Sequence, residues 1–241
     1  MQLLIQLILY SAFWLYPFQN TSADDLETLL TWKAATTVSD EAVATFGIDS
    51  CFKAYPISDQ IFQRVKGKSY KNNCTVPLSA LRYLRVLHRN IDGHTQLGEI
   101  VCNASIADDL LNIFRQLYEQ GYKIERITLI DNYDADDEAS MKANNTSCFN
   151  FRPVAGTTTL SKHSRGMAID INPLYNPCLH LKTNKVQPTT GKPYSANRHN
   201  LRNTPVAIIS KDDLCYRLFT EHSFRWGGSW NSIKDYQHFE K

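Results

Sequence analysis

The stretch that most constrains the fold is SKHSRGMAIDINP, residues 161–173. From residue 166 to residue 171, small or polar residues alternate with apolar ones, which is the period of a half-buried β-strand. The apolar residues that would face the core are Met167, Ile169 and Ile171. On the other face, Asp170 follows the small residues Gly166 and Ala168, which leave room for a metal ion or a substrate to approach the carboxylate.

Two histidines are the other candidate metal ligands. His163 precedes the strand, where a turn could bring its imidazole over the surface that carries Asp170. The C-terminal segment DYQHFE contains Asp235 and His238, which a strand would point to opposite faces, so their joint action requires a turn or a helix. With His238 added to His163 and Asp170, three protein ligands would leave one position open, as in catalytic zinc sites. Asp235 would then be free to accept a proton from water and pass it to a leaving amine.

These motifs resemble those of a known family. SKHSRGMAIDIN is similar to the Ser-x-His and Asp motif of the zinc D,D-carboxypeptidase and L-alanyl-D-glutamate peptidase family, which shares its fold with hedgehog signalling domains. FRWGGSW followed by DYQHFE resembles the C-terminal signature of that family, especially of its L-alanyl-D-glutamate peptidase branch. The resemblance covers roughly residues 105–241. It implies one Zn²⁺ per chain held by His163, Asp170 and His238, with Asp235 as general base.

The resemblance also suggests roles beyond the metal ligands. The family uses an upstream arginine to stabilise the oxyanion, and Arg152 in SCFNFRP is the best match. Ser161 is predicted to bind substrate, or else to orient the turn of His163. Trp230 is predicted to line the cleft, although it and Trp226 could instead fill the core. Ser229 departs from the family pattern, which has an acid at this position.

The sequence leaves three functional questions open. Two histidines and a carboxylate also hold non-haem iron, but those sites usually separate the first histidine and the acid by two residues, not by seven as here. A zinc-bearing cell-wall-binding domain without catalysis is the second alternative. The third question is whether the enzyme cleaves the L-Ala-D-Glu bond or removes a terminal D-Ala, and the Asp-type base favours the endopeptidase. The predicted substrates are peptidoglycan stem peptides.

The composition bounds the location and the partners. A formal net charge of +2 offers no footprint for nucleic acid. Residues 1–23 have no charged side chain and are typical of a secretory signal peptide that ends at Ala23. We therefore expect a periplasmic or extracellular protein with no membrane segment after cleavage. We also expect the protein to be a monomer. Six cysteines in an exported chain predict disulfides, with buried free thiols as the alternative.

The order of predicted elements indicates an α+β fold with a largely antiparallel sheet and flanking helices, which is hedgehog/DD-peptidase-like by resemblance. We predict a signal peptide at 1–23, an N-terminal extension and hairpin at 24–104, and a zinc peptidase domain at 105–241. The predicted helices are 25–34 capped by Asp24, 58–66, 106–120 capped by Ser105, and 212–222. The predicted strands are 78–87 and 95–102, which form a hairpin around Asp92-Gly93, and 123–130, 149–152 and 166–171. Residues 131–145 are predicted to be a solvated loop and the start of a helix, and residues 173–203 a functional loop.

Overall fold

A computed structural model describes residues 21–196, 198–201 and 206–241. Residues 1–20 of the predicted signal peptide lie outside the described part, as do residues 197, 202 and 203 of the predicted long loop. In chain order, the α-helices of the described residues are α1 Thr21–Thr31, α2 Asp40–Phe46, α3 Ile48–Cys51, α4 Asp59–Val65, α5 Ala107–Glu119, α6 Asp137–Lys142, α7 Arg198–Leu201 and α8 Leu214–Glu221. None of these helices is long and apolar enough to cross a membrane.

The strands are short apart from one pair. They are β1 Lys53–Pro56, β2 Leu81–Arg89, β3 Thr95–Asn103, β4 Arg126–Ile127, β5 Asn145–Thr146, β6 Ala168–Asp170, β7 Cys178–His180, β8 Lys185–Gln187, β9 Arg225–Trp226, β10 Ile233–Asp235 and β11 His238–Glu240. Within the described residues they form antiparallel sheets of order β1-β2-β3, β10-β7-β8 and β6-β11-β9, and the parallel pair β4-β5. This architecture is compatible with the predicted α+β class, and the predicted largely antiparallel sheet is divided into several small sheets.

The hairpin of β2 and β3 is the longest regular element, and its prediction is confirmed. Its register runs from Leu81 opposite Asn103 to Arg89 opposite Thr95. Gly93 in the turn has a φ of 88°, which a residue with a Cβ rarely adopts. Helix α5 covers the hairpin with an apolar stripe that includes Leu110 and Phe114, both fully buried.

The core is shared between the hairpin and the strands around the predicted site. One cluster of buried residues joins Leu84 and Leu97 of the hairpin to Phe114 of α5, and it also contains Ile169 of β6 and Phe239 of β11. Phe239 stacks on Phe219 of α8, with ring centroids 4.3 Å apart. The site strands are therefore anchored from below by the same core that holds the hairpin. The domain boundary predicted near residue 104, between the N-terminal extension and the peptidase domain, stays a prediction.

Several predicted elements differ in the structure. Only residues 126–127 of the predicted strand 123–130 pair as a strand, and 149–152 is not a strand at all. The latter segment divides its hydrogen bonds among three neighbours, because the amides of Phe149, Asn150 and Phe151 donate to the carbonyls of Val101, His163 and Ser69. The predicted loop 173–203 contains β7, β8, a 3₁₀-helix over Thr189–Tyr194 and α7. Strands of three residues, such as β7 and β8, are too short to give a recognisable alternating pattern in the sequence.

Two of the predicted caps were wrong. Helix α1 begins at Thr21, so Asp24 lies inside its first turn. Before α5, a 3₁₀-turn occupies Ala104–Ile106, and the Asn103 side chain accepts a hydrogen bond from the amide of Ser105, so Asn103 takes the capping role assigned to Ser105. Two predicted helices, now α4 and α8, are confirmed, with Ser58 and Asp213 as their caps.

The predicted disulfides are not formed. All six cysteines lie in the described part of the chain and are free thiols, five of them buried. Burial raises the pKa of the Cys102, Cys148 and Cys215 thiols, which keeps these groups neutral. The structure instead agrees with the alternative, which was buried free thiols. The prediction of export therefore depends on the N-terminal segment alone.

Candidate metal centre

His163 lies on a single 3₁₀-turn, Lys162–Arg165, that is fixed at both ends. The Ser161 hydroxyl caps the turn by accepting a hydrogen bond from the His163 amide at 3.2 Å. Gly166 ends it with a φ of 65°, and its carbonyl accepts from the amide of Asn103 at the end of β3. A Cβ at Gly166 would come within 2.6 Å of the Asn103 nitrogen, so only glycine allows the turn to approach the hairpin this closely.

Asp170 ends β6 and is held from both sides. On one side it faces His238 of β11, and on the other its backbone exchanges two hydrogen bonds with Ser147. The side chain of Asp170 is 14% exposed, whereas Ile169 and Ile171 are fully buried on the opposite face. The predicted alternation holds around Asp170, but the strand is shorter than predicted, Met167 is only partly buried, and Gly166 packs against β3.

The three predicted ligand side chains form a triangle of close contacts, in which the two histidines contact different oxygens of Asp170. Nε2 of His163 lies 3.2 Å from Nδ1 of His238 and 3.3 Å from Oδ2 of Asp170, and Nδ1 of His238 lies 3.1 Å from Oδ1 of Asp170. Atoms that sit about 2.0–2.2 Å from a tetrahedral zinc are about 3.3–3.6 Å apart. Two imidazole nitrogens and a carboxylate group this close together could hold a zinc ion and leave one position open.

The outward nitrogen of each histidine faces an oxygen acceptor. Nδ1 of His163 lies 2.6 Å from the carbonyl of Cys148, and Nε2 of His238 lies 3.3 Å from Oε2 of Glu240. If these nitrogens carry the protons, the two inward nitrogens keep their lone pairs, as metal ligation requires. The outer contacts and the triangle therefore require the same pair of tautomers.

The charges in the site depend on one another. Burial alone would raise the pKa of Asp170, but the two histidines hold it well below its usual range. Burial alone would lower the pKa of His238, but hydrogen bonds with Asp170 and Glu240 raise it to about 10. In the absence of a metal, a proton on His238 balances the two carboxylates. A bound cation would replace that proton.

Asp235 lies at the end of β10, and a two-residue bend leads from it to His238 at the start of β11. The turn required by their spacing is therefore present, and no helix is involved. Gln237 in the bend donates from Nε2 to Oδ1 of Asp235 at 3.2 Å, and Cys178 of β7 faces Asp235 across the strand pair. Burial raises the pKa of Asp235, and the negative charge of Asp170 raises it further. A carboxylate with a raised pKa is a stronger base at neutral pH.

The backbone of the Gly227-Gly228 turn packs closely against both Asp235 and His238. A Cβ at Gly227 would lie 2.7 Å from the Asp235 carbonyl oxygen, 2.9 Å from the Asp235 Cβ and 3.2 Å from the His238 Cβ. A Cβ at Gly228 would lie 2.3 Å from the ring of Trp226. The two glycines of the WGGSW motif thus allow close approach of the predicted base, a predicted metal ligand and an aromatic ring.

Arg152 lies beside the His163 turn but is paired elsewhere. Its amide donates to the Ser164 hydroxyl at 2.8 Å, and its carbonyl accepts from the Ser161 amide. Its guanidinium forms an ion pair with Asp137 of α6, and Asn150 donates to the other oxygen of that carboxylate. The arginine is therefore near the metal centre and held in place, whereas its contact with an oxyanion stays a prediction.

The two tryptophans have different positions. Trp226 is buried, donates from its indole nitrogen to the Tyr236 carbonyl and packs against Tyr216, so it belongs to the core. Trp230 is only partly buried and lies against the ligand His238, with ring centroids 5.2 Å apart. Its position suits a cleft wall, and its predicted substrate contact stays a prediction, as does that of Ser161.

Two cavities lie close to this side of the molecule. One of about 420 Å³ is lined by Trp226 and Tyr236 and continues toward Ile208 and Lys211. A neighbouring one of about 460 Å³ lies between the end of α5 and the start of α8. None of the three candidate ligands lines either cavity, so the candidate metal centre is identified by its donor atoms and not by a cavity.

Sequence reasoning missed three side chains that support the site: Glu240, Gln237 and Asp137. Glu240 could have been found, because two residues after His238 on a strand means the same face. Gln237 stands between the two recognised residues, but the bend that aims it at Asp235 is not visible in the sequence. Asp137 was placed in a solvated loop and helix start, and nothing local connects it with Arg152.

Residues 155–241 match the model of a family described as D-alanyl-D-alanine carboxypeptidase. This segment of the chain is similar to that peptidase family. The match includes His163, Asp170, Asp235 and His238, and it confirms the family resemblance seen in the sequence. It begins after Arg152, so the match gives no support to that residue. Comparisons with curated proteins and with solved structures returned no match.

Proposed function

We propose that this chain is a zinc-dependent peptidase that cleaves peptidoglycan stem peptides. The observation that carries the proposal is the triangle of His163, Asp170 and His238 with sides of 3.1–3.3 Å, placed next to an unliganded Asp235. The peptidase family of residues 155–241 supports the substrate class. The same family supports a hedgehog/DD-peptidase-like arrangement of these strands, which we include in the proposal.

A zinc ion bound by these three side chains would supply a Lewis acid that activates water and polarises the scissile carbonyl at neutral pH. Asp235 accepts the proton of the attacking water and passes it to the leaving amine. The Gln237 amide donates to one oxygen of Asp235, and this contact orients the carboxylate. Arg152 stabilises negative charge on the carbonyl oxygen, with Asp137 fixing its position.

The first experiment measures metal content and bond cleavage together. We expect about one zinc per purified chain, and mass spectrometry of digested muropeptides should identify the product. Release of free D-alanine would indicate a carboxypeptidase, and separation of L-alanine from the rest of the stem would indicate an endopeptidase. Iron in place of zinc would contradict the metal assignment. Zinc without any cleavage would favour a cell-wall-binding domain.

The second experiment isolates the base. Asp235→Asn keeps the shape of the side chain and removes its basicity, so hydrolysis should fall by at least ~10²-fold while zinc content is unchanged. Asp92→Asn in the hairpin turn is the matched control and should have no effect. Full activity in Asp235→Asn would show that another group is the base.

The third experiment concerns the arginine. Arg152→Ala should lower kcat/KM by roughly 10²–10³-fold with zinc retained, as expected for the loss of an oxyanion partner. Arg165→Ala, on the exposed side of the same turn, is the control. Equal activities of the two variants would remove Arg152 from the mechanism.

We also propose that the protein is exported and acts as a monomer in the periplasm or outside the cell, where its substrate lies. The apolar N-terminal residues support export. N-terminal sequencing of the protein recovered from outside the cytoplasm should begin at Asp24. A full-length cytoplasmic protein would contradict this proposal.

A further inference from the structure

Glu240 is a buried carboxylate that the mechanism above does not use. Strand β11 places it on the same face as His238, and its partner across the sheet is Ala168, whose side chain is too small to fill the space. The side chain of Glu240 is only 12% exposed. A carboxylate this buried needs a partner for each oxygen.

Both oxygens of Glu240 are in fact engaged. Oε2 lies 3.3 Å from Nε2 of His238, and Oε1 lies 2.6 Å from Nη2 of Arg225 on β9. Arg225 faces Glu240 directly across the strand pair, and its own side chain is 71% exposed. The three side chains form a line that runs from solvent through the carboxylate to the outward nitrogen of a candidate metal ligand.

We propose that Glu240 is the positioning residue that holds His238 ready to bind the metal. A ligand nitrogen must carry a lone pair, so the proton of the neutral imidazole has to lie on Nε2 when Nδ1 faces the metal. Glu240 accepts that proton's hydrogen bond, fixes the ring orientation and makes Nδ1 a stronger donor, as carboxylates do in carboxylate–histidine–zinc arrangements. This inference depends on the metal site of the proposed function.

The two histidines differ in this respect. The outward nitrogen of His163 faces a neutral backbone carbonyl, that of Cys148, whereas that of His238 faces a charged carboxylate. A side chain can be replaced without altering the backbone, so the contribution of the outer partner can be measured at His238. The competing explanation is that Glu240 exists to pair with Arg225. An ion pair with an arginine this exposed contributes little.

The experiment is a competition for Zn²⁺ between the purified full chain and a chromophoric chelator at neutral pH. Glu240→Ala removes the acceptor and should weaken zinc binding by ~10–100-fold. Glu240→Gln keeps an acceptor oxygen without the charge and should fall between Glu240→Ala and the wild type. Arg225→Ala breaks the ion pair but leaves the contact with His238, and should change the zinc Kd by less than about 3-fold. Co²⁺ loaded in place of zinc should give a shifted absorption spectrum in Glu240→Ala and an unchanged one in Arg225→Ala.

Two results would overturn the inference. One is a zinc affinity in Glu240→Ala and Glu240→Gln equal to that of the wild type. The other is a loss in Arg225→Ala as large as that in Glu240→Ala, which would mean that the carboxylate serves the ion pair. If Glu240→Ala does not fold, the ranking of Glu240→Gln against Arg225→Ala decides. If the wild type does not bind zinc, the proposed function itself is refuted. If the wild type binds zinc tightly and substitution of Glu240 has no effect, only the inference about Glu240 is refuted.

Discussion

The β2–β3 hairpin and the β6-β11-β9 sheet are both antiparallel, but they are built in opposite ways. The hairpin pairs nine residues with nine, and α5 covers it with apolar side chains. The site sheet has strands of two or three residues. One of its faces enters the core through Ile169 and Phe239, and the other carries Asp170, His238 and Glu240.

The difference shows where stability and chemistry reside. Strands as short as β6, β9 and β11 cannot form a stable sheet alone, so they depend on the core that the hairpin and α5 provide. The face that does not enter the core carries closely spaced ionisable groups, which are largely buried. Substitutions in the hairpin region should therefore change unfolding without changing metal affinity, and substitutions in the site sheet should do the reverse.

The largest effect is expected from the core beneath α5. Phe114→Ala removes a fully buried ring and should lower the free energy of unfolding by about 3–5 kcal/mol, measured by urea denaturation. Zinc affinity of the folded variant should stay at the wild-type value. Asn112→Ala, on the exposed side of the same helix, is the control. A variant that folds but binds zinc poorly would show that stability and chemistry are not separated.

The second effect is a pH dependence that arises in the hairpin. His88 of β2 is fully buried, and this burial lowers its pKa to about 4, although its Nδ1 faces the Ile124 carbonyl at 2.6 Å. The folded state binds the proton less readily than the unfolded state, whose pKa is 6.5. Stability from this residue is therefore present above about pH 6.5 and lost as the pH falls toward 4, by up to about 3 kcal/mol.

Urea denaturation between pH 4 and pH 7 measures this slope. Asp213 works in the opposite direction, because burial raises its pKa to about 6 and its contribution is lost as the pH rises from about 4. The informative quantity is therefore the wild-type slope minus that of His88→Gln. Parallel curves for the two proteins would contradict the assignment.

A third effect should appear in activity. Gly227→Ala introduces a Cβ that must displace the backbone of Asp235 or of His238. Since a shift of about 1 Å can cost ~10²-fold in rate, we expect kcat/KM to fall by roughly that factor. Ser229→Ala, exposed in the same turn, should retain full activity. Wild-type activity in Gly227→Ala would mean that the turn does not determine the position of the base.

The smallest effect is expected at the surface of α5. Arg115 pairs with Asp49 at 2.5 Å and with Glu119 at 2.9 Å, but all three side chains are exposed. Arg115→Ala should lower the free energy of unfolding by less than about 1 kcal/mol in urea denaturation. A loss comparable to that of Phe114→Ala would show that ion pairs, and not only apolar packing, stabilise the hairpin region.

Prediction succeeded where a pattern is local and long enough. The Asp92-Gly93 turn signal between the two segments of the hairpin and the helical period of α5 were readable in the sequence. The strand at 149–152 was wrong because its hydrogen bonds go to three separate segments and not to one partner strand. The disulfides were wrong because an even cysteine count does not show whether two thiols are close.

For the site, the sequence by itself determined the residue types, the face of Asp170 and the need for a turn between Asp235 and His238, because each depends on residues only a few positions apart. Tertiary structure decided the rest. It brought His163 within 3.2 Å of His238 across 75 positions, paired Arg152 with Asp137, and set Glu240 behind a ligand. These contacts depend on how the short strands pack on a common core. That packing results from many interactions between residues far apart in the chain, which no local sequence pattern contains.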